Sequence, residues 1–185
     1  MTKSFQYAHI MFQSRRSSVV ELSARAKDSI HVLLNNKAEY HHSDLIIGLH
    51  CFSRDGTPLQ YRLFCVIEET VVSKMSQMKP VDMLTLFTSY AVVGRKYPDF
   101  MNRVDLFFER SMANFRIPEL IRIIWCYARL YHRPRCFDQM VDKIFTALST
   151  KRKMTASPIC QLLWGLAILD ELTIEVSIIC LLNNI

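Results

Sequence analysis

Apolar residues recur along this chain in a frame that repeats every 37 to 39 positions. With a small residue as the anchor, Ser53, Ala91, Ala128 and Ala167 stand 38, 37 and 39 residues apart. One position before each anchor lies Phe52, Tyr90, Tyr127 or Leu166. Four before lies Leu49, Phe87, Ile124 or Leu163, and eight before lies Leu45, Met83, Leu120 or Ile159. Offsets of one, four and eight fall on one helical face, so each segment predicts a helix that turns the same stripe toward a neighbour. Two segments carry W-x-x-A, at Trp125–Ala128 and Trp164–Ala167. The tryptophan position holds His50 in the first segment and Thr88 in the second.

The intervening stretches repeat as well. Pro58, Pro98 and Pro134 precede Phe64, Phe100 and Phe137, and these aromatics are 36 and 37 residues apart. Seven and eight residues further on come Val71 and Val72, Phe107 and Phe108, then Ile144 and Phe145. Proline fits a first helical turn, where its missing N–H has no intrahelical partner to lose. Each unit therefore predicts a helix A, a short turn and a proline-led helix B, with Pro80, Pro118 and Pro158 opening helix A in the last three units. A period of this length is the signature of stacked helical hairpins. The expected fold is all-α: an α-solenoid of about four helix-turn-helix repeats over residues 43–185, preceded by a helical and basic extension over residues 1–42.

The period, the small anchor and the apolar frame make residues 43–185 resemble the octotricopeptide and heptatricopeptide class of organellar repeats, whose units have similar length. The W-x2-L-G-x2-Y order of tetratricopeptide repeats is not found here. The resemblance implies work on organellar RNA: transcript processing, stability, translation, or service as a mitoribosomal component. Some members of that class carry a C-terminal RAP domain, which is not expected within these 185 residues. These implications are analogies, because a fold alone does not fix a function.

Half of the residues are apolar, glycines number four, and mean hydropathy is +0.11. Few glycines and no Ser/Gly run argue against a flexible linker. The apolar excess suggests surfaces buried against partners. Charge is unevenly distributed. Residues 1–78 carry nine Lys/Arg against seven Asp/Glu, residues 79–153 carry fourteen against seven, and residues 154–185 carry none against three. The basic block therefore coincides with the best-formed repeats. Such a block can neutralise phosphates, with binding that weakens steeply as salt rises.

Within that block Arg122 and Arg129 are seven apart on one helix, opposite the apolar stripe. Arg103 and Arg110 share the same relation on the preceding helix B. Arg133 and Arg135 crowd the next turn, and Lys151, Arg152 and Lys153 lie in the connection to the fourth unit. These nine are the candidate RNA contacts. The alternative for each is plain solvation, with acidic neighbours such as Asp105 and Glu109 available for pairing. Arginine outnumbers lysine in the block, which favours phosphate, because the planar guanidinium forks onto oxygen pairs. His132, between Tyr131 and Arg133, is either a base-stacking residue or a structural histidine of the turn.

From Met1 to Val20 there is no acidic residue, and Lys3, Arg15 and Arg16 are interspersed with serines and aromatics. That composition fits a mitochondrial targeting segment or a basic arm. A helical stripe of Val20, Ala24, Ala26, Ile30, Leu33 and Leu34 follows, either capping the first repeat or forming a degenerate helix B. His41 and His42 mark a loop, and Ser43 is the expected N-cap of the first helix A.

Catalytic and metal chemistry find little support. Cys51, Cys65, Cys126, Cys136, Cys160 and Cys180 contain no C-x-x-C pair, so they read as small apolar side chains and not as ligands. Reduced thiols fit a cytosolic or matrix setting. No nucleotide, nucleophile-elbow or zincin motif occurs, so no enzyme, cofactor or metal is expected. Ile159–Leu169 and Ile174–Leu182 are too short to span a bilayer, so no membrane insertion is expected. The C-terminal stretch ends apolar, without the polar face a terminal repeat needs. Ile178, Ile179, Leu181 and Leu182 are therefore expected to pack on a neighbouring protein subunit, or to continue into further repeats.

Two functional expectations result. In the first, the chain is a non-catalytic subunit of an organellar ribonucleoprotein in the mitochondrial matrix, positioned on structured RNA such as rRNA by phosphate contacts. At about four repeats, base-by-base readout would cover only a few nucleotides. In the second, it is a protein scaffold in another mitochondrial assembly, such as a respiratory or ATP-synthase accessory subunit.

Overall fold

A computed structural model describes residues 41–53, 64, 68, 70–149 and 154–169. The N-terminal arm, Pro58, Cys65, Lys151, Arg152, Lys153, Ile178, Ile179, Leu181, Leu182 and Cys180 lie outside the described residues. Among the described residues every regular element is helical. The α-helices are α1 (His42–Ser53), α2 (Pro80–Val93), α3 (Pro98–Ser111), α4 (Ile117–Arg129), α5 (Phe137–Ser149) and α6 (Ala156–Ile168). A helical stretch also ends at residue 73. Single 3-10 turns, Met75–Gln77 and Met112–Asn114, precede α2 and follow α3. The chain divides into two compact units, Met1–Ser89 and Tyr90–Ile185, with the boundary inside α2.

Prolines stand where a helix start tolerates them. Pro80 and Pro98 are the first residues of α2 and α3, Pro118 is the second of α4 and Pro158 the third of α6. Pro134 departs from this pattern. It lies three residues before α5, and its carbonyl accepts the N–H of Phe137 at 3.2 Å. The N-cap of α1 also differs from expectation. The helix begins at His42, and the backbone N–H of Ser43 donates to His41 Nδ1 at 3.3 Å. His41 thus takes the capping role, which leaves the Ser43 hydroxyl to donate to Asp82 Oδ2 at 3.4 Å.

In the first unit, α1 meets α2 through pairs about one repeat apart. Besides Ser43 and Asp82, His50 Nδ1 lies 3.2 Å from Ser89 Oγ, and both pairs are 39 residues apart in sequence. The frame residues Leu45, Leu49, Met83, Phe87 and Phe64 are buried. Thr88 and Ser89 satisfy their own hydroxyls on the helix backbone, donating to the carbonyls of Leu84 and Thr85.

In the second unit, α4 packs against both α5 and α6. Tyr90, Ala91, Leu120, Ile124, Tyr127 and Ala128 of the frame are buried, as are Phe100, Phe108, Phe137 and Ile144 from the B helices. The frame tyrosines meet B-helix aromatics. Tyr90 stacks on Phe100 with ring centroids 3.8 Å apart, and Tyr127 meets the edge of Phe108 at 6.2 Å. Burying one such ring contributes about 2–3 kcal/mol, and a well-set aromatic pair about 1 kcal/mol more.

The fourth frame is buried on one flank only. In α6 the buried residues are Ile159, Leu162, Gly165 and Leu166, while Leu163 is half-buried and Ala167 exposed. Gly165 belongs to the buried flank, and its lack of a side chain lets α6 lie against α4 at Ile124. Their equivalents in α4, Leu120, Ile123, Cys126 and Tyr127, are buried too, but there Ile121, Ile124 and Ala128 are buried as well.

The turns between helix A and helix B repeat in detail. After α2, Arg95 N–H bonds the Tyr90 carbonyl at 3.0 Å and Gly94 N–H bonds that of Ala91 at 3.3 Å. After α4, His132 N–H bonds the Tyr127 carbonyl at 3.1 Å and Tyr131 N–H bonds that of Ala128 at 3.0 Å. Both are Schellman caps, which require a left-handed residue just beyond the helix. Gly94 has φ +71°, and Tyr131, 37 positions later, has φ +48°.

Candidate nucleic-acid interface

Helix α4 starts from a one-way cap in which Arg116 donates to Glu119. The backbone N–H of Arg116 donates to Glu119 Oε2 at 2.8 Å, and its guanidinium donates to Glu119 Oε1 at 2.7 Å. The Arg116 guanidinium accordingly holds the Glu119 carboxyl below its usual range. From Leu120 to Arg129, the residues that are not buried are Arg122, Trp125 and Arg129. They lie three and four positions apart, so they form one stripe on a helix otherwise enclosed by its neighbours.

Aromatic and basic groups are interleaved along this stripe. The Arg129 guanidinium carbon stands 5.9 Å from the Trp125 ring centroid, within cation–π range. Trp125 in turn lies beside Trp164 of α6, with centroids 6.5 Å apart and ring planes 44° apart. Trp164 is 39% exposed, a large value for so large an apolar side chain. Next to it on α6 are half-buried Gln161 and exposed Cys160. An exposed indole beside a half-buried one that carries a guanidinium suits a stacked base and phosphate oxygens together.

The other predicted cations are placed differently. Arg103 and Arg110 are exposed on α3 and form a separate stripe there. Arg133 is engaged: it donates to Asp138 Oδ1 at 2.8 Å and its guanidinium lies 4.8 Å from the Phe137 ring centroid. Arg135 is exposed at the turn and, with Asn102, Asp105 and Leu106, lines a cavity of about 110 Å3 beside α3. Lys151, Arg152 and Lys153 lie outside the described residues.

Asp105 is not a surface partner for arginine. It is 7% exposed, accepting from Tyr127 Oη at 2.8 Å on one oxygen and lying 3.0 Å from His132 Nε2 on the other. The His132 ring stacks on Tyr127 at 5.7 Å. Of the two readings of His132, the structural one therefore holds. The trio ties α3, α4 and the following turn together, and burial with the Asp105 charge pushes the Tyr127 hydroxyl well above its ordinary pKa. Burial likewise pushes the nearby Cys136 thiol up to about 11. Cys126 is buried too, while Cys160 is exposed and so is not the core residue its stripe suggests. It lies on the open flank of α6, as Ala167 does.

Among the described residues, no group of three or more His, Cys, Asp or Glu could hold a metal ion, and no helix is long and apolar enough to cross a membrane.

Trp125 and Trp164 were visible in the sequence as repeat markers but not as surface. The signal was their offset. They stand three before the anchor, one position off the buried stripe, and Arg122 and Arg129 continue that offset at six before and one after. No family model matches the sequence, and no curated protein or solved structure matches it either.

Proposed function

We propose that this chain is a non-catalytic helical-repeat subunit of an organellar ribonucleoprotein that binds RNA through the outer stripe of α4. The observation that carries the reading is the interleaving of Arg122, Trp125 and Arg129 on the open side of a buried helix, with Trp164 alongside. The contacts 39 residues apart between neighbouring A helices, and the two Schellman turns 37 residues apart, support a solenoid of the octotricopeptide or heptatricopeptide kind. A mitoribosomal or mitochondrial RNA-processing role in the matrix is the setting that resemblance implies. Arg103 and Arg110 are assigned to a second phosphate-contacting stripe.

The test is sedimentation of the native protein from an organelle lysate with and without RNase. The reading expects migration with a large particle that collapses on RNase treatment, and weakened association for Arg122→Glu/Arg129→Glu. Migration indifferent to RNase would favour the scaffold reading. That reading has its own support in exposed apolar side chains, notably Leu106 at 43% and Trp164 at 39% exposure.

A further inference from the structure

Tyr131 is the one non-glycine residue with positive φ among the described residues, at +48°. A left-handed backbone crowds any Cβ against the following carbonyl, so residues other than glycine, asparagine and aspartate seldom adopt it. The equivalent position one repeat earlier is Gly94, in the same Schellman turn, with φ +71°. Glycine therefore suits this turn, and tyrosine strains it.

The strain is not offset by burial, since Tyr131 is 76% exposed. An aromatic ring that neither fills the core nor suits its backbone points to a role on the surface. Its surroundings are cationic. Lys96, from the turn after α2, donates its Nζ to the Tyr131 carbonyl at 3.1 Å, so the turns of two successive hairpins lie side by side. An ammonium carries three donors, and only one is needed for that bond. Arg129 is two residues away at the end of α4, and Arg133 two residues beyond, held by Asp138. Of the acidic groups near by, Asp105 and Asp138 are engaged with Tyr127, His132 and Arg133, and Asp99 in the first turn of α3 is exposed.

We infer that Tyr131 stacks on an unpaired nucleobase of single-stranded RNA, with Lys96 and Arg129 on the flanking phosphates. The inference rests on the RNA reading above and narrows it: the ligand at this edge is single-stranded, because a paired base offers no open face to a ring on a turn. A base-stacking aromatic with adjacent cations is the arrangement by which single strands are held without sequence readout.

The test measures thermal stability together with binding of a fluorescein-labelled single-stranded RNA and an RNA hairpin stem, by anisotropy, for wild type, Tyr131→Gly and Tyr131→Phe. Tyr131→Gly is expected to raise the melting temperature by about 3 °C while weakening single-strand binding about tenfold. Tyr131→Phe keeps the ring and should bind like wild type, and stem affinity should be the same in all three. A glycine variant that is more stable and binds the single strand as tightly as wild type would overturn the assignment of Tyr131 alone. Wild-type protein that binds neither RNA would overturn the RNA reading itself, and this assignment with it.

Discussion

Gly165 of α6 lies so close to Ile124 of α4 that an added Cβ would stand 3.0 Å from Ile124 Cγ2. A β-branched methyl next to the backbone cannot swing away as the end of a long side chain can. Gly165→Ala gains about 1 kcal/mol of helix propensity, but overpacking between two closed helices costs about 1–3 kcal/mol. The expected outcome is a net loss of about 1 kcal/mol in chemical denaturation. A larger loss is expected for Gly165→Leu. A stabilised alanine variant would mean that the two helices separate without cost.

The Asp105, Tyr127 and His132 trio joins three successive pieces of the second unit. Tyr127→Phe removes a hydrogen bond to a buried carboxylate while keeping the ring. The predicted loss is about 2 kcal/mol, the range for a bond to a charged group. His132→Ala should also destabilise, and the double variant should lose less than the sum, because both side chains serve one carboxylate. Additive losses in urea unfolding would contradict a shared network.

His42 is held below the ordinary imidazole pKa of 6.5, first by burial and then by His41, with Lys74 and Lys79 adding to it and Asp82 only partly opposing. With the folded pKa lowered, the unfolded chain binds more protons in the window below pH 6.5, so stability rises with pH there. The contribution of His42 is fully present above about pH 6.5 and is lost as pH falls toward the folded value. His42→Asn should flatten this part of the stability curve of the first unit. An unchanged slope would assign the dependence to other groups.

Thiol chemistry should separate Cys160 from Cys126 and Cys136. Cys160 is exposed, whereas Cys126 and Cys136 are buried and the Cys136 pKa is raised to about 11. Brief alkylation at neutral pH, read by peptide mass, should mark Cys160 and spare the other two until the protein is unfolded. Rapid native labelling of Cys136 would show that the α4–α5 turn opens.

The helical elements were legible because their apolar residues keep offsets of one, four and eight, and because Pro80, Pro98, Pro118 and Pro158 fit only a first turn. The buried frame in α2 and α4 followed from the same offsets. What stayed hidden depended on contacts between segments. Gly165 is marked by neither the frame nor the prolines. Neither its packing against Ile124 nor the exposure of Cys160 and Ala167 on the other flank is encoded by a single-helix pattern. Asp105 reads as a surface charge until Tyr127 and His132, 22 and 27 residues away, are brought to it. The candidate interface lay between these cases. Arg122 and Arg129 were evident from their spacing, but Trp125 and Trp164 share the composition of core residues. Only the enclosure of α4 by α5 and α6 leaves their edge open.

Trp125 and Trp164 are the two tryptophans of the chain, so its indole fluorescence reports directly on the proposed interface. The decisive measurement is a titration of the purified protein with single-stranded RNA, followed by tryptophan emission at low and moderate salt, for wild type and Arg122→Ala/Arg129→Ala. Saturable quenching is predicted, with an affinity that falls steeply as salt rises and a shallower salt slope in the double variant. Emission that does not change on adding RNA would contradict the account, as would quenching that ignores both salt and the loss of Arg122 and Arg129.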